Sequence, residues 1–130
     1  MKANLAKLGL LAAGAFLIHG AVDAQNLEEV TVQAKRIVKK VVGRSSTGVP
    51  IEDISLSYGV SAAGLDLGSG AGASELERRV KDAATAACEE IGRQYPDATP
   101  SDRECARIAA DQAMVKAREL IAAAKKTPGK

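Results

Sequence analysis

Residues 69–126 read SGAGASELERRVKDAATAACEEIGRQYPDATPSDRECARIAADQAMVKARELIAAAKK, and this stretch decides the fold. Two segments of helical period flank a polar turn, with Cys88 in the first and Cys105 in the second. In the first, Leu76, Val80, Ala83, Ala84, Ala87 and Ile91 recur at three- and four-residue spacing, giving one apolar stripe, while Glu75, Glu77, Arg78, Arg79, Lys81 and Asp82 take the watery side. Ser69 or Ser74 is placed to cap this helix, the early acids suit its positive end, and Gly92 followed by Pro96 marks its stop. Ahead of the second, Thr99-Pro100-Ser101-Asp102 sets a capping hydroxyl, a proline at the first helical position and an acid at the third. Cys105, Ile108, Ala109, Ala113, Val115, Leu120, Ile121 and Ala124 then fill a broad apolar side, until Lys125 and Lys126 meet Thr127-Pro128-Gly129 and the helix stops.

The spacing sets the cysteines level. Cys88 lies four residues before Gly92 and Cys105 five after Pro100, so at about 1.5 Å per residue each is about 6–8 Å from its end of the turn. Antiparallel helices packed through alanine bring such positions within reach of the Cα separation of about 5.5 Å that a disulfide needs. A Cys88–Cys105 bridge is therefore expected, stabilising by on the order of 3 kcal/mol through the closed loop. A thioredoxin-type dithiol wants Cys-x-x-Cys, and zinc wants four Cys or His ligands; neither pattern is present.

Working outward toward the N-terminus, Gly64-Leu65-Asp66-Leu67-Gly68-Ser69-Gly70-Ala71-Gly72 lacks the lysine and spacing of a phosphate loop and reads as a flexible link. Before it, Ile54, Leu56, Tyr58 and Val60 alternate with Ser55, Ser57 and Gly59, and Glu29-Val30-Thr31-Val32-Gln33-Ala34 alternates in the same way. Period-two runs of this kind are half-buried strands. The continuation Ile37-Val38-Lys39-Lys40-Val41-Val42 has apolar residues on both faces, which suggests a bulge or twist near Arg36. Gly43 to Gly48 gathers turn residues, so the two runs form a hairpin. An isolated hairpin is marginal in water and needs a cover. The expected fold is α+β, an N-terminal β-hairpin packed on a two-helix antiparallel hairpin closed by one disulfide.

The first residues read as a signal peptide. Lys2 and Lys7 precede an apolar run from Leu8 to Ile18, and Val22-Asp23-Ala24 places small side chains before a cut between Ala24 and Gln25. The run falls short of the roughly 20 apolar residues that a membrane anchor needs. The organisation is thus a signal over residues 1–24, a hairpin and link over 25–68, the helical hairpin over 69–126 and a frayed tail over 127–130. Cleavage removes Lys2, Lys7, Asp23 and His19, taking the net charge from +2 to +1 and leaving no histidine.

A near-neutral exported chain is a poor fit to nucleic acid, which calls for a concentrated basic face. The one basic cluster, Lys35, Arg36, Lys39 and Lys40, reads as a solvated strand face. Without histidine, no acid–base or nucleophilic constellation emerges, so no catalytic residue is expected. No cofactor and no metal ligand set is indicated. The acids Glu89, Glu90, Asp97, Asp102 and Glu104 around the turn read as a solvated rim, with a weak oxygen-ligand cation site as the alternative.

Two resemblances bear on function. Ile54-Ser55-Leu56-Ser57-Tyr58-Gly59-Val60-Ser61, followed by Leu65-Asp66-Leu67, Arg78-Arg79 and a cysteine in each helix, resembles the UrcA family of small exported bacterial proteins over roughly residues 49–124. Ala62 stands where that family's pattern has tyrosine. The resemblance implies export, paired cysteines and a periplasmic or secreted location, with no established activity. Leu27 to Ala34 is similar to the segment near the mature N-terminus of TonB-dependent receptors, which adds as a strand to a periplasmic partner. Three functions follow as expectations: a non-catalytic interaction or structural module, an envelope adaptor whose strand at residues 28–34, notably Glu29, Val30, Thr31 and Val32, docks on an unknown envelope protein, and a weak cation or redox responder at the turn.

Overall fold

The computed structural model describes residues 29–39 and 51–127. The cleavage pair Ala24 and Gln25, Glu28, Lys40 to Val42, the Gly43–Gly48 turn and residues 128–130 lie outside the described residues. Four elements follow in order: β1 (Glu29–Lys39), β2 (Ile51–Ser61), α1 (Gly70–Gln94) and α2 (Asp102–Lys126). The strands form one antiparallel two-stranded sheet, packed on the helix pair, and the α+β architecture is as expected.

β1 runs without a break from Glu29 opposite Ser61 to Lys39 opposite Ile51. The bulge expected near Arg36 is absent. Val30, Val32 and Ala34 are fully buried, and Arg36 takes the next inward position with only 3% of its surface exposed. Counting arginine as an outward residue is what made the phase look broken; Ile37 is the outward one, 41% exposed. The solvated basic face therefore loses Arg36, while Lys35 and Lys39 remain exposed.

α1 is capped by Ser69, whose Oγ accepts from the Gly72 amide at 3.0 Å and donates to the Asp66 carbonyl at 2.7 Å. No acid sits in its first turn, so the cap, rather than charge, satisfies that end. The link is tightly folded here: a Cβ at Gly72 would lie 2.5 Å from the Asp66 carbonyl carbon, which only glycine avoids. At the other end α1 continues through Gly92, and the Tyr95 amide still reaches the Ile91 carbonyl at 2.8 Å. α2 starts two residues later than its sequence suggests. Ser101, not Thr99, is the cap, and Asp102 is the first helical residue. Thr99 is committed elsewhere, since its backbone pairs with Ile37.

The core lies between sheet and helices. From α1 it takes Leu76, Val80, Ala84, Ala87, Cys88 and Ile91, and from α2 Cys105, Ala109, Ala113, Met114, Ala117 and Ile121. The four-residue spacing from Cys105 to Ile121 fixes the inward line of α2, which turns Val115 out to 60% exposure and leaves Ile108 at 38%. Cys88 and Cys105 are joined, with Cα atoms 5.9 Å apart and both side chains buried. Among the described residues no helix is long and apolar enough to cross a membrane.

Candidate functional site

Two places in this fold carry polar chemistry beyond ordinary surface. The first is Arg36. Its inward position on β1 aims it under the turn between the helices, where Nη1 donates to the Cys88 carbonyl at 3.2 Å and Nη2 to the Ala98 carbonyl at 2.6 Å. Nη1 also pairs with the Asp102 carboxylate, which is half exposed. Burying a guanidinium is costly unless its protons are matched. Here one cation gathers a β1 position, the last turns of α1, the turn itself and the first residue of α2. Gly92 makes room for the pair: a Cβ there would sit 2.9 Å from Arg36 Nη1 and collide with Asp102 Oδ1. Nε of Arg36 is a buried polar atom without a partner. A shallow surface cleft of about 590 Å³ outside the clamp runs along Pro96 to Thr99, Ser101 and Arg103. Its only deeply buried charge, Arg36, is already engaged.

Of the acids expected to form a rim, or a cation site, three are dispersed in partnerships, and Glu89 and Asp97 stand exposed. Asp102 serves Arg36, Glu90 accepts from Arg93 and from Gln94 at 2.8 Å, and Glu104 accepts from Arg107 Nε at 3.1 Å. The carboxyl of Glu90 is held below its ordinary pKa by the Gln94 amide and by Arg93, and that of Glu104 by Arg107. Among the described residues, no group of three or more such side chains is placed to hold a metal ion.

The second place is the sheet. Residues Glu29, Val30, Thr31 and Val32, expected as a strand of the hairpin with docking on a partner as the alternative, form the start of β1, with both valines in the core and the whole run paired to Ser61, Val60, Gly59 and Tyr58. That segment is the domain's own strand. The hydrogen-bond parity of the sheet follows from one contact: the Ile37 amide donates to the Thr99 carbonyl at 2.7 Å and receives the Thr99 amide on its own carbonyl at 2.9 Å. Ile37 thus turns its backbone away from β2. In an antiparallel pair this alternates, so Val30, Val32, Ala34 and Arg36 bond across to Val60, Tyr58, Leu56 and Ile54. The backbones of Asp53, Ser55, Ser57, Gly59 and Ser61 must point outward along the far edge of β2.

The two edges differ in protection. β1 is flanked by Lys35 and Lys39 and bridged by Thr99. On β2, Arg79 Nη1 covers the Ser61 carbonyl at 3.2 Å, and from Ser55 to Gly59 the edge carries neither charge nor proline. Beside it, a recess of about 120 Å³ opens between Ile54 and Leu56 on the strand, Ile91 on α1 and Tyr95 just past its end, rimmed by Glu90 and Gln94. A wider cleft of about 520 Å³ lies on the outer side of the sheet, against Lys35, Ile37, Asp53, Ser55 and the Thr99–Pro100 shoulder. Sequence reading missed both the clamp and the open edge. The alternation Val30, Val32, Ala34, Arg36, Val38 holds the signal for the first, and the run Ser55 to Gly59, free of lysine and proline, holds it for the second.

Compared with family models, curated proteins and solved structures, the chain matches none.

Proposed function

We propose that the chain is a small exported, UrcA-like module of the bacterial envelope that works by binding another protein, without catalysis. The observation that carries this reading is the sheet: among the described residues it has two strands, one of them with an outward-bonding edge that carries neither charge nor proline from Ser55 to Gly59. Sheet edges of this kind pair readily with other chains, and proteins that do not use them blunt them with lysine, proline or a covering segment. The buried Cys88–Cys105 bridge supports an oxidising compartment, periplasmic or extracellular, where such bonds persist. The adaptor version moves from the strand at residues 28–34 to the edge that this hairpin presents, because Val30 and Val32 are held in the core. The cation or redox version draws no support from the acids of the turn, three of which, Glu90, Asp102 and Glu104, are each engaged by a different arginine.

Photo-crosslinking in the native envelope tests the module reading. A photoreactive side chain at Ser57 is expected to give a discrete adduct with another protein, and the same group at Asp111, on the outer side of α2, is expected to give none. Silence at every surface position sampled, Ser57 included, would remove the reading.

A further inference from the structure

We propose that the outer edge of β2 accepts an extended peptide of a partner protein, laid antiparallel to β2, with an acidic residue at its start and a basic one at its end. This deepens the module reading and rests on it. Strand addition draws its affinity from main-chain hydrogen bonds and its specificity from the pockets that alternate side chains meet. The backbone groups of Asp53, Ser55, Ser57 and Gly59 supply the first, by the parity that the Ile37–Thr99 bridge fixes. The recess between Ile54, Leu56, Ile91 and Tyr95 supplies the second, sized for one apolar side chain on the helix-facing side of the guest. Tyr58, 37% exposed, and half-buried Leu56 and Ile54 are the inward residues of β2 that a third strand would cover, whereas their cross-strand partners Val32, Ala34 and Arg36 are already buried.

Charge sets direction. Asp53 stands exposed at one end of the edge, and Arg79 reaches the other end at Ser61. Antiparallel pairing, which is also the stronger kind, brings the start of the guest beside Arg79 and its end beside Asp53. The occupant is a slim peptide rather than a second copy. α1 comes up to this edge at Arg79 and Ile91, with Tyr95 just past its end, so a copy offering its own β2 would bring its α1 into the same space.

The test uses the oxidised mature chain and a synthetic peptide, Glu-Val-Thr-Val-Thr-Val-Thr-Val-Lys, followed by amide hydrogen exchange at single residues. In the free protein, the amides of Ser55, Ser57 and Gly59 are expected to exchange at least tenfold faster than those of Leu56 and Tyr58. The peptide should slow the outward set and leave the inward set unchanged. Swapping its terminal charges should weaken binding about fivefold, the scale of exposed ion pairs, and N-methylation of the guest amides that face β2 should abolish it. Ser57→Pro should abolish it as well, since Ser57 donates nothing to β1; the N-methylated peptide gives the same information should that variant fail to fold. Outward amides already protected in the free chain would mean that its own residues or a second copy fill the edge, and would overturn the proposal. So would unchanged exchange at millimolar peptide, or equal binding of the charge-swapped peptide. An envelope adduct that survives Ser57→Pro, captured from another surface position, would overturn the edge while leaving the module reading intact.

Discussion

The two ends of this molecule are held by opposite means. At the turn end, a buried arginine, a disulfide and a backbone bridge join β1, α1 and α2 within a few residues of one another. At the far end, where β2 passes into α1, the ties are exposed: Glu75 accepts from Arg78 Nη2 at 2.9 Å and Arg79 Nε at 2.8 Å, and Arg79 touches the Ser61 carbonyl. Burial decides what such bonds are worth. Exposed ion pairs compete with water and give little net stability, whereas a buried cation stripped of its partners is costly. The turn end should therefore set global stability, and the far end should open first.

The largest effect is expected from Arg36→Ala. It leaves the Ala98 carbonyl without its donor and opens a gap where the guanidinium and its stem were packed, and should cost about 3–5 kcal/mol in urea unfolding, an unmatched buried acceptor added to a large-to-small core change. Lys35→Ala, one residue away on the outer side of the sheet, should stay within about 0.5 kcal/mol. Equal losses would break the contrast between the two faces of β1. Replacing both cysteines by alanine comes next, at about 3 kcal/mol for a loop closed across 17 residues. Because the Cys88 carbonyl is itself a partner of Arg36, the two losses should not add: once the bridge is gone, Arg36→Ala should cost less than in the native chain.

A finer probe of the same end is Gly92. Alanine is a better helix former than glycine by about 1 kcal/mol, yet a Cβ at this position displaces the Asp102 carboxylate from Arg36. Gly92→Ala should thus be neutral or destabilising in the native chain and less costly in an Asp102→Ala background, where the close approach to Arg36 Nη1 remains but the collision with the carboxylate is gone. A gain of the same size in both backgrounds would show that glycine is not there to admit the ion pair.

The contrast also explains what could be read from residue order. The helical hairpin was legible because alanine at three- and four-residue spacing leaves only one face to bury, and the disulfide because two cysteines at matched distance from a turn have one way to pair. Arg36 was not legible: its value depends on three acceptors 52, 62 and 66 residues away in the chain. The period-two alternation puts Arg36 in phase with Val30, Val32 and Ala34, but the charge of the side chain argues against that phase, so the alternation was misread at the point where tertiary structure overrides polarity. The α2 cap moved from Thr99 to Ser101 for a related reason, the Thr99 backbone being drawn into the sheet by Ile37. The open edge of β2 depends on hydrogen-bond parity, which only the long-range Ile37–Thr99 contact sets.

The smallest effect belongs to the far end, and pH isolates it. Hydrogen bonds from Arg78 and then Arg79 hold the Glu75 carboxyl at a pKa of about 2, against an ordinary value of 4.5. A carboxyl whose pKa is depressed by folding contributes its full stabilisation above the unfolded value, so the contribution of Glu75 is complete above about pH 4.5 and fades as pH falls toward 2. Because the group is solvent-exposed, its titration should be resolved by carboxyl NMR shifts long before it is felt in global unfolding. Arg78→Ala should raise that midpoint more than Arg79→Ala does, since Arg78 makes two of the hydrogen bonds and Arg79 one. Loss of these bonds on acidification should also speed exchange of the first-turn amides of α1 while the Cys88 end stays protected. Loss of protection at both ends at the same pH would mean that the two ends unfold as one unit, and the contrast between them would not survive.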